Sequence, residues 1–342
     1  MTRVLVAEDS VTARELLVEI LRSEPGLEVA GEAKNGLEAV EMTRRLRPDV
    51  VTMDIRMPRM DGFEATRQIM VESPTPIVIV SGSLEVRDVE VSMHALRAGA
   101  LTVLAKPPGP EAPDFEEQAR RFVETVKAMS QVKVVRRWPE RPRPEPPRPL
   151  PSARNGAAAR VVALAASTGG PAALARILSE LPGDFPLPVL AVQHIARGFV
   201  EGFAAWLNTF GALRAKVAED GEALRSRTVY IAPDDRHLGL ADRSTIALSS
   251  AAPVGGFRPS ASFLFESVGR AFGSSAVAVI LTGMGQDGVE GLQALRAAGG
   301  RVIAQDEETS VVFGMPGAAV DAGLVDLTLP LGAVALRLRE FA

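Results

Sequence analysis

Ser167, His194 and Asp287 each stand at or just past the end of a short apolar run, in "LAASTGG", "AVQHIARGF" and "LTGMGQDG". A serine hydroxyl is a weak nucleophile until a base takes its proton, and histidine is the side chain tuned for that near neutral pH. A carboxylate on the other imidazole nitrogen would fix the tautomer and stabilise the imidazolium. Gly169 and Gly170 permit a tight turn after the serine and a close approach of substrate to backbone. Pro171 can begin a helix where its missing N–H costs nothing, and the amides at that helix start can face a developing oxyanion. Taken singly, the serine reads as a helix N-cap, the histidine as a satisfied structural residue and the aspartate as the cap of the next helix. Spacing alone does not prove that the three meet. The other histidines are weaker bases: His94 falls in a predicted surface helix and His237 follows the charged "PDDR".

A second constellation lies nearer the N-terminus. Glu8 and Asp9 end one apolar run, Asp54 a second, Ser81 a third and Lys106 a fourth. Three carboxylates on one crest repel unless a cation sits among them, and all-oxygen ligation with room for water suits Mg²⁺. Asp54 could then attack phosphorus while Mg²⁺ and Lys106 balance charge on the phosphoryl oxygens, with the Ser81 hydroxyl bonding one of them. Any one of these acids alone reads as a helix cap or a solvated loop.

The elements that must position these groups are α/β throughout. "RVLVAED", "LEVAGEA", "DVVTMDI", "PIVIVSG" and "LTVLAK" read as strands. They alternate with amphipathic segments such as "VTARELLVEILRSE", where Leu17, Ile20 and Leu21 recur at helical spacing, and "FEEQARRFVETVKAM" closes the series as a fifth helix. Such alternation predicts a parallel sheet covered on both faces, with ligands beyond the carboxyl ends of its strands. Further along, "RVVALAAS", "PVLAVQH", "TVYIAP", "AVAVILTG" and "RVIAQD" read as strands, and "PAALARILSEL", "SFLFESVGRAFG" and "DGVEGLQALRAAG" as helices. "STIALS" reads as part of an antiparallel hairpin. Between the two series, "RRWPERPRPEPPRPLP" (136–151) holds seven prolines in sixteen residues and reads as a stiff spacer. Fully extended it would reach roughly 50 Å. The expected domains are 1–130, a linker over 131–156, and 157–342.

Composition excludes several classes. A net charge of −4 gives no general affinity for nucleic acid, and no zinc-finger or helix-turn-helix pattern is present. With no cysteine there are neither disulfides nor thiolate metal sites, which fits a reducing compartment. The opening "MTRVLVAEDS" meets acids too early for a signal peptide, and no apolar run nears the roughly 20 residues of a membrane span. A cytoplasmic protein without membrane insertion is expected.

Residues 1–130 resemble a response-regulator receiver, including "MDIRMPRMDGFEAT" around Asp54. The resemblance implies a flavodoxin-like (βα)5 fold and phosphorylation of Asp54. It implies Mg²⁺ on Glu8, Asp9, Asp54 and the backbone carbonyl of Arg56, with Ser81 and Lys106 as the phosphate switch. It also implies a cis Lys106–Pro107 bond and an aromatic residue where this sequence has Val103. The chain as a whole resembles the chemotaxis protein-glutamate methylesterases (CheB), through "ASTGG", "QHI", "LTGMGQDG" and "VVFGMPGAA". The order serine, histidine, aspartate departs from the α/β-hydrolases, which carry serine, acid, histidine on a G-x-S-x-G elbow.

This second resemblance implies a doubly wound, mainly parallel catalytic domain. Ser167 would be its nucleophile, His194 the base and then acid, Asp287 the orienting carboxylate, and the Thr168 and Met284 amides the oxyanion donors. No cofactor is needed for hydrolysis. Methyl-accepting chemoreceptors are the implied substrates, of demethylation and of glutamine deamidation, and a chemotaxis histidine kinase the implied phosphodonor. The unphosphorylated receiver is expected to inhibit, and the protein to be a monomer. Ser262 stands where the family commonly has an acid, which touches substrate contacts rather than the triad. The rival reading is a non-catalytic, receiver-controlled binding protein with a degenerate effector domain.

Overall fold

A computed structural model describes residues 1–82, 95–96, 98–132, 134 and 158–342. The proline-rich stretch 136–151 and His94 lie outside the described residues. The chain divides into two compact units, Met1–Pro142 and Arg143–Ala342.

In the first unit the strands are β1 (Thr2–Ala7), β2 (Leu27–Ala33), β3 (Val50–Met53), β4 (Ile77–Ser81) and β5 (Thr102–Ala105). They pair in the order β2-β1-β3-β4-β5, all parallel. Helices α1 (Val11–Ser23), α2 (Gly36–Leu46), α3 (Gly62–Glu72) and α4 (Phe115–Ser130) accompany the sheet. The caps are those that the sequence chemistry favours: Ser10, Asn35 and Asp61 each accept a first-turn amide with their side chains. Leu17, Ile20 and Leu21 are buried, as their helical spacing predicts. Register explains the acidic crest. Ala7 pairs with Met53, so Glu8 and Asp54 leave the sheet side by side, and Ser81 pairs with Ala105, one residue before Lys106.

One expectation fails here. The one cis peptide bond among the described residues is Arg258–Pro259, so Lys106–Pro107 is trans, the isomer that X–Pro bonds ordinarily prefer. Val103 is buried in β5, paired with Ile79, and fills core space.

The second unit carries a seven-stranded, wholly parallel sheet in the order β14-β13-β12-β6-β7-β9-β8. Its strands are β6 (Val161–Ala166), β7 (Val189–Gln193), β8 (Arg214–Val217), β9 (Thr228–Ile231), β12 (Ala276–Ile280), β13 (Arg301–Gln305) and β14 (Leu327–Leu329). β10 (His237–Leu240) and β11 (Ile246–Ser249) form the antiparallel hairpin. Helices α5 (Gly170–Glu180), α6 (Val200–Leu207), α7 (Ala261–Phe272), α8 (Val289–Ala297), α9 (Met315–Asp321) and α10 (Leu331–Phe341) complete it. Every residue of β6, β7 and β12 is buried, which is why these runs are apolar without alternation. At about 1.5–3 kcal/mol per buried Val or Leu side chain, the three central strands form a stiff platform. β8 and β14 were not expected. Each is a short outer strand, four and three residues long, with too little apolar sequence to stand out.

Candidate active site and phosphoacceptor pocket

Ala166 pairs with Gln193, so Ser167 and His194 follow as neighbours beyond the ends of β6 and β7. The His194 amide donates to the Ala166 carbonyl (3.0 Å). The Gln193 side chain ties the two together, its Nε2 donating to the carbonyls of Ser167 and His194 at 2.8 Å each. β12 lies on the other side of β6, and the turn beyond it closes over the serine. The Ser167 amide donates to the Thr282 carbonyl (3.0 Å), and Thr282 Oγ1 donates to the Thr168 carbonyl (2.9 Å). Gly283 lies so close that a Cβ there would meet the Ser167 Cβ at 2.8 Å.

Neither simple capping reading survives. α5 is capped by Gly169, left-handed at φ +78°, with no side-chain cap bond and Pro171 in its first turn. Ser167 is therefore free for chemistry. Asp287 does not cap the helix after it, which begins behind Gly288. It docks on the N-terminus of α7 instead. Its Oδ2 accepts from the Ala261 amide (2.7 Å), and its Oδ1 accepts from the Ser260 hydroxyl (2.8 Å) and the Ser262 amide (3.1 Å). Helix N-termini favour anions for this reason.

His194 Nε2 meets Asp287 Oδ2 at 3.0 Å. Burial pushes the Asp287 carboxyl up, but the hydrogen bond and charge of His194, then the Ala261 amide and Ser260 hydroxyl, hold it below the usual carboxylate range. An ionised Asp287 accepts only, so Nε2 carries a proton and, in the neutral imidazole, Nδ1 carries the lone pair. Nδ1 is buried and has no partner. No hydrogen bond joins Ser167 Oγ to His194, a looseness common before substrate arrives. The amides of Thr168 and Met284 have no acceptor among the described residues, as oxyanion donors require.

Several contacts were invisible in the sequence. Phe257 stacks on His194, and Ser260, Ala261 and Ser262 hold Asp287. The Ser262 hydroxyl accepts from the Gly288 amide (2.9 Å), so it braces the aspartate's own loop. His237 is a buried structural residue: Nε2 donates to the Ala252 carbonyl (3.1 Å), and Nδ1 accepts from the Ser260 amide (3.2 Å). An "F-x-P-S" run before an amphipathic helix signals the cap, but nothing local says which carboxylate it receives.

In the first unit, Glu8, Asp9 and Asp54 bring carboxylate oxygens within 4.8 Å of one another. Lys106 Nζ lies 2.7 Å from Glu8 and 3.2 Å from Asp54. Burial, then the charge of Glu8, pushes Asp54 from 3.8 up to about 6, against the pull of Lys106 and the Ile55 amide. Lys106 is held above its ordinary value: burial opposes this, and its bonds and charge contacts with Glu8 and Asp54 outweigh burial. Crowded hard oxygens whose mutual repulsion is already felt at Asp54 fit a small divalent cation such as Mg²⁺. Ser81 is buried at the end of β4, one strand over.

Family models match both units of the chain. The CheB methylesterase family model matches residues 162–338, and the response regulator receiver domain model matches residues 4–112. Protein-glutamate methylesterase/protein-glutamine glutaminase 4 of Myxococcus xanthus is 62% identical over 338 residues, covering 98% of this chain and 96% of its own. The enzyme of the same name numbered 3 in Anaeromyxobacter dehalogenans is 57% identical over 340 residues, covering 99% and 98%. The crystal structure of the Thermotoga maritima CheB methylesterase catalytic domain superposes with a TM-score of 0.53 at 39% identity, covering 54% of this chain and 99% of that one. The chain belongs to the CheB methylesterase family, with a response regulator receiver domain ahead of its methylesterase domain.

Proposed function

We propose that this protein hydrolyses glutamate methyl esters, and deamidates glutamines, on methyl-accepting chemoreceptors, and that phosphorylation of Asp54 by a chemotaxis histidine kinase activates it. The observation that carries the hydrolytic reading is the bond from His194 Nε2 to a buried, ionised Asp287, which leaves Nδ1 as an unpartnered base beside the serine-bearing strand. Ser167 Oγ attacks the ester carbonyl carbon and its proton passes to His194 Nδ1. The new oxyanion lies against the Thr168 and Met284 amides. His194 returns the proton to the departing methoxide, giving methanol and an acyl-enzyme, or to the departing amine of an amide, giving ammonia. Water, deprotonated by His194, then releases glutamate. Asp287 keeps its charge throughout.

In the receiver, Glu8, Asp9, Asp54 and the Arg56 carbonyl would hold Mg²⁺, which when bound neutralises charge between carboxylates and incoming phosphoryl oxygens. Asp54 is the acceptor, Lys106 is placed to pair with a phosphoryl oxygen, and the Ser81 hydroxyl is the switch contact. The domain limits that go with this reading are 1–130, 131–156 and 157–342, in a cytoplasmic monomer.

Release of labelled methanol from radiomethylated receptor membranes tests the activity. A rival non-catalytic binding role predicts no release and no labelling of Ser167 by a fluorophosphonate. The activation step is tested with a chain beginning near residue 152. It should outpace the unphosphorylated full-length protein and ignore acetyl phosphate, whereas a slower truncated enzyme would favour activation by recruitment alone.

A further inference from the structure

The stretch from Val254 to Ser262 grips the catalytic couple at two points. Its far end supplies the three donors to Asp287, and its near end touches the base itself. Val254 and Phe257 exchange two backbone hydrogen bonds (3.1 and 3.0 Å) across Gly255 and Gly256, at φ +59° and +86°. Two successive left-handed residues make the tight turn of a hairpin. A Cβ at either glycine would meet nothing within 4 Å, so backbone conformation, not clearance, calls for glycine here. The turn delivers the Phe257 ring onto the His194 imidazole, with centroids 4.4 Å apart and planes 9° from parallel.

Behind the ring, the chain is fastened residue by residue. Arg258 Nε donates to Asp235 Oδ1 (2.8 Å), and its NH1 donates to the carbonyls of Ser250 and Ala251 (3.3 and 3.2 Å). Ser260 is held by the buried His237. Phe257 itself is only half-buried. An aromatic placed so firmly, yet not consigned to the core, is there for what it touches.

His194 needs such a contact. Asp287 holds one nitrogen, Nε2, and a single hydrogen bond leaves the ring able to swing about that point. Nδ1 has no partner to stop it. A parallel aromatic face removes the swing. We propose that Phe257 is a positioning residue for the catalytic base, setting the plane of the His194 imidazole so that Nδ1 stays presented to Ser167 while Asp287 holds Nε2. The inference rests on the triad reading given above.

Phosphonylation of Ser167 by a fluorophosphonate isolates this step from receptor binding. The serine oxygen bonds to phosphorus, fluoride leaves, and the serine proton goes to His194 Nδ1. On the full-length protein, Phe257→Tyr keeps a flat face and should label within about twofold of wild type, whereas Phe257→Leu keeps apolar bulk and should label about tenfold more slowly. With receptor membranes, the Leu variant should lose kcat by a similar factor, with KM within about twofold. Gly256→Val, which strains the turn without touching either ring, should slow labelling as well. Equal labelling of Phe257→Leu and wild type overturns the proposal. So does a Leu variant that no longer gives a native circular dichroism spectrum, because Phe257 would then be a core residue. Wild type that fails to label at Ser167 overturns the triad reading instead.

Discussion

Replacing Asp287 by asparagine removes one charge from a carboxylate surrounded entirely by donors. Its oxygens accept from His194 Nε2 (3.0 Å), the Ala261 amide (2.7 Å), the Ser260 hydroxyl (2.8 Å) and the Ser262 amide (3.1 Å). An amide NH₂ must face one of the two pairs. Turned toward Ala261 and His194 it opposes a backbone N–H and draws the imidazole into the wrong tautomer. Turned toward Ser260, whose hydroxyl can rotate to accept, it leaves only the Ser260 O–H without its acceptor, since the Ser262 amide keeps Ser260 Oγ (3.1 Å). The second arrangement should win, at a cost of about 1–3 kcal/mol in stability for one buried donor left unpaired.

The catalytic loss is larger. Charges about 4 Å apart in an effective dielectric of about 20 attract by about 4 kcal/mol. The asparagine variant lacks that attraction when the imidazolium forms, so its rate should fall about a thousandfold at 1.36 kcal/mol per decade. Initial rates of methanol release should show the fall in kcat, with KM within about threefold. A residual rate above about a tenth of wild type would refute the reasoning. The folded Asp287 pKa lies below its ordinary 3.8, so the carboxylate's contribution is present above that value and lost as pH falls through the folded one. The gap between the melting midpoints of the two proteins should be open at neutral pH and close only as pH falls below about 3.8.

Ser167→Ala should fold normally, because the serine's structural bonds to Thr282, Gly170 and Gln193 all use its backbone, while turnover should fall by several orders of magnitude. Gly170→Ala would bring a Cβ to 2.1 Å from Gln193 Oε1. It should displace the amide that ties Ser167 to His194, lowering both kcat and the thermal midpoint of a catalytic domain that still melts cooperatively. Acetyl phosphate with Mg²⁺ should add one phosphoryl group, located at Asp54 by mass spectrometry, and Asp54→Asn or chelation should abolish it. Lys106→Met should leave metal affinity in place but slow phosphorylation, because Lys106 contacts both Glu8 and Asp54 in the resting pocket.

The strand-terminal positions of Ser167, His194, Asp54 and Lys106 were legible because buried parallel strands are unbroken apolar runs. A polar residue that ends such a run must emerge at the sheet's crest. Strand order was not legible: nothing local in "AVAVILTG" says that β12 lies beside β6, more than a hundred residues upstream. β8 and β14 escaped because an outer strand of three or four residues has no room for a periodic signal. Asp287's anchors escaped for another reason. A carboxylate that docks on a helix distant in sequence looks, in sequence, like a cap for the helix beside it. Phe257 carried a turn signal in "VGGF", yet its partner His194 lies far upstream.

The position of β12 between β13 and β6 also bears on how the activity comes into being. As the chain emerges from synthesis, β6 and β7 can pair early, bringing Ser167 and His194 together. The strand that leads to Met284 and Asp287 arrives last among the site's parts and must seat beside β6, a non-local pairing of the slow kind. Until it does, the serine lacks the Met284 amide and the carboxylate, and the Ser260–Ser262 cap has no anion to receive. On the proposed mechanism, a growing or half-folded chain should be hydrolytically silent. During refolding, recovery of fluorophosphonate labelling should trail recovery of helical signal, marking closure of the central sheet.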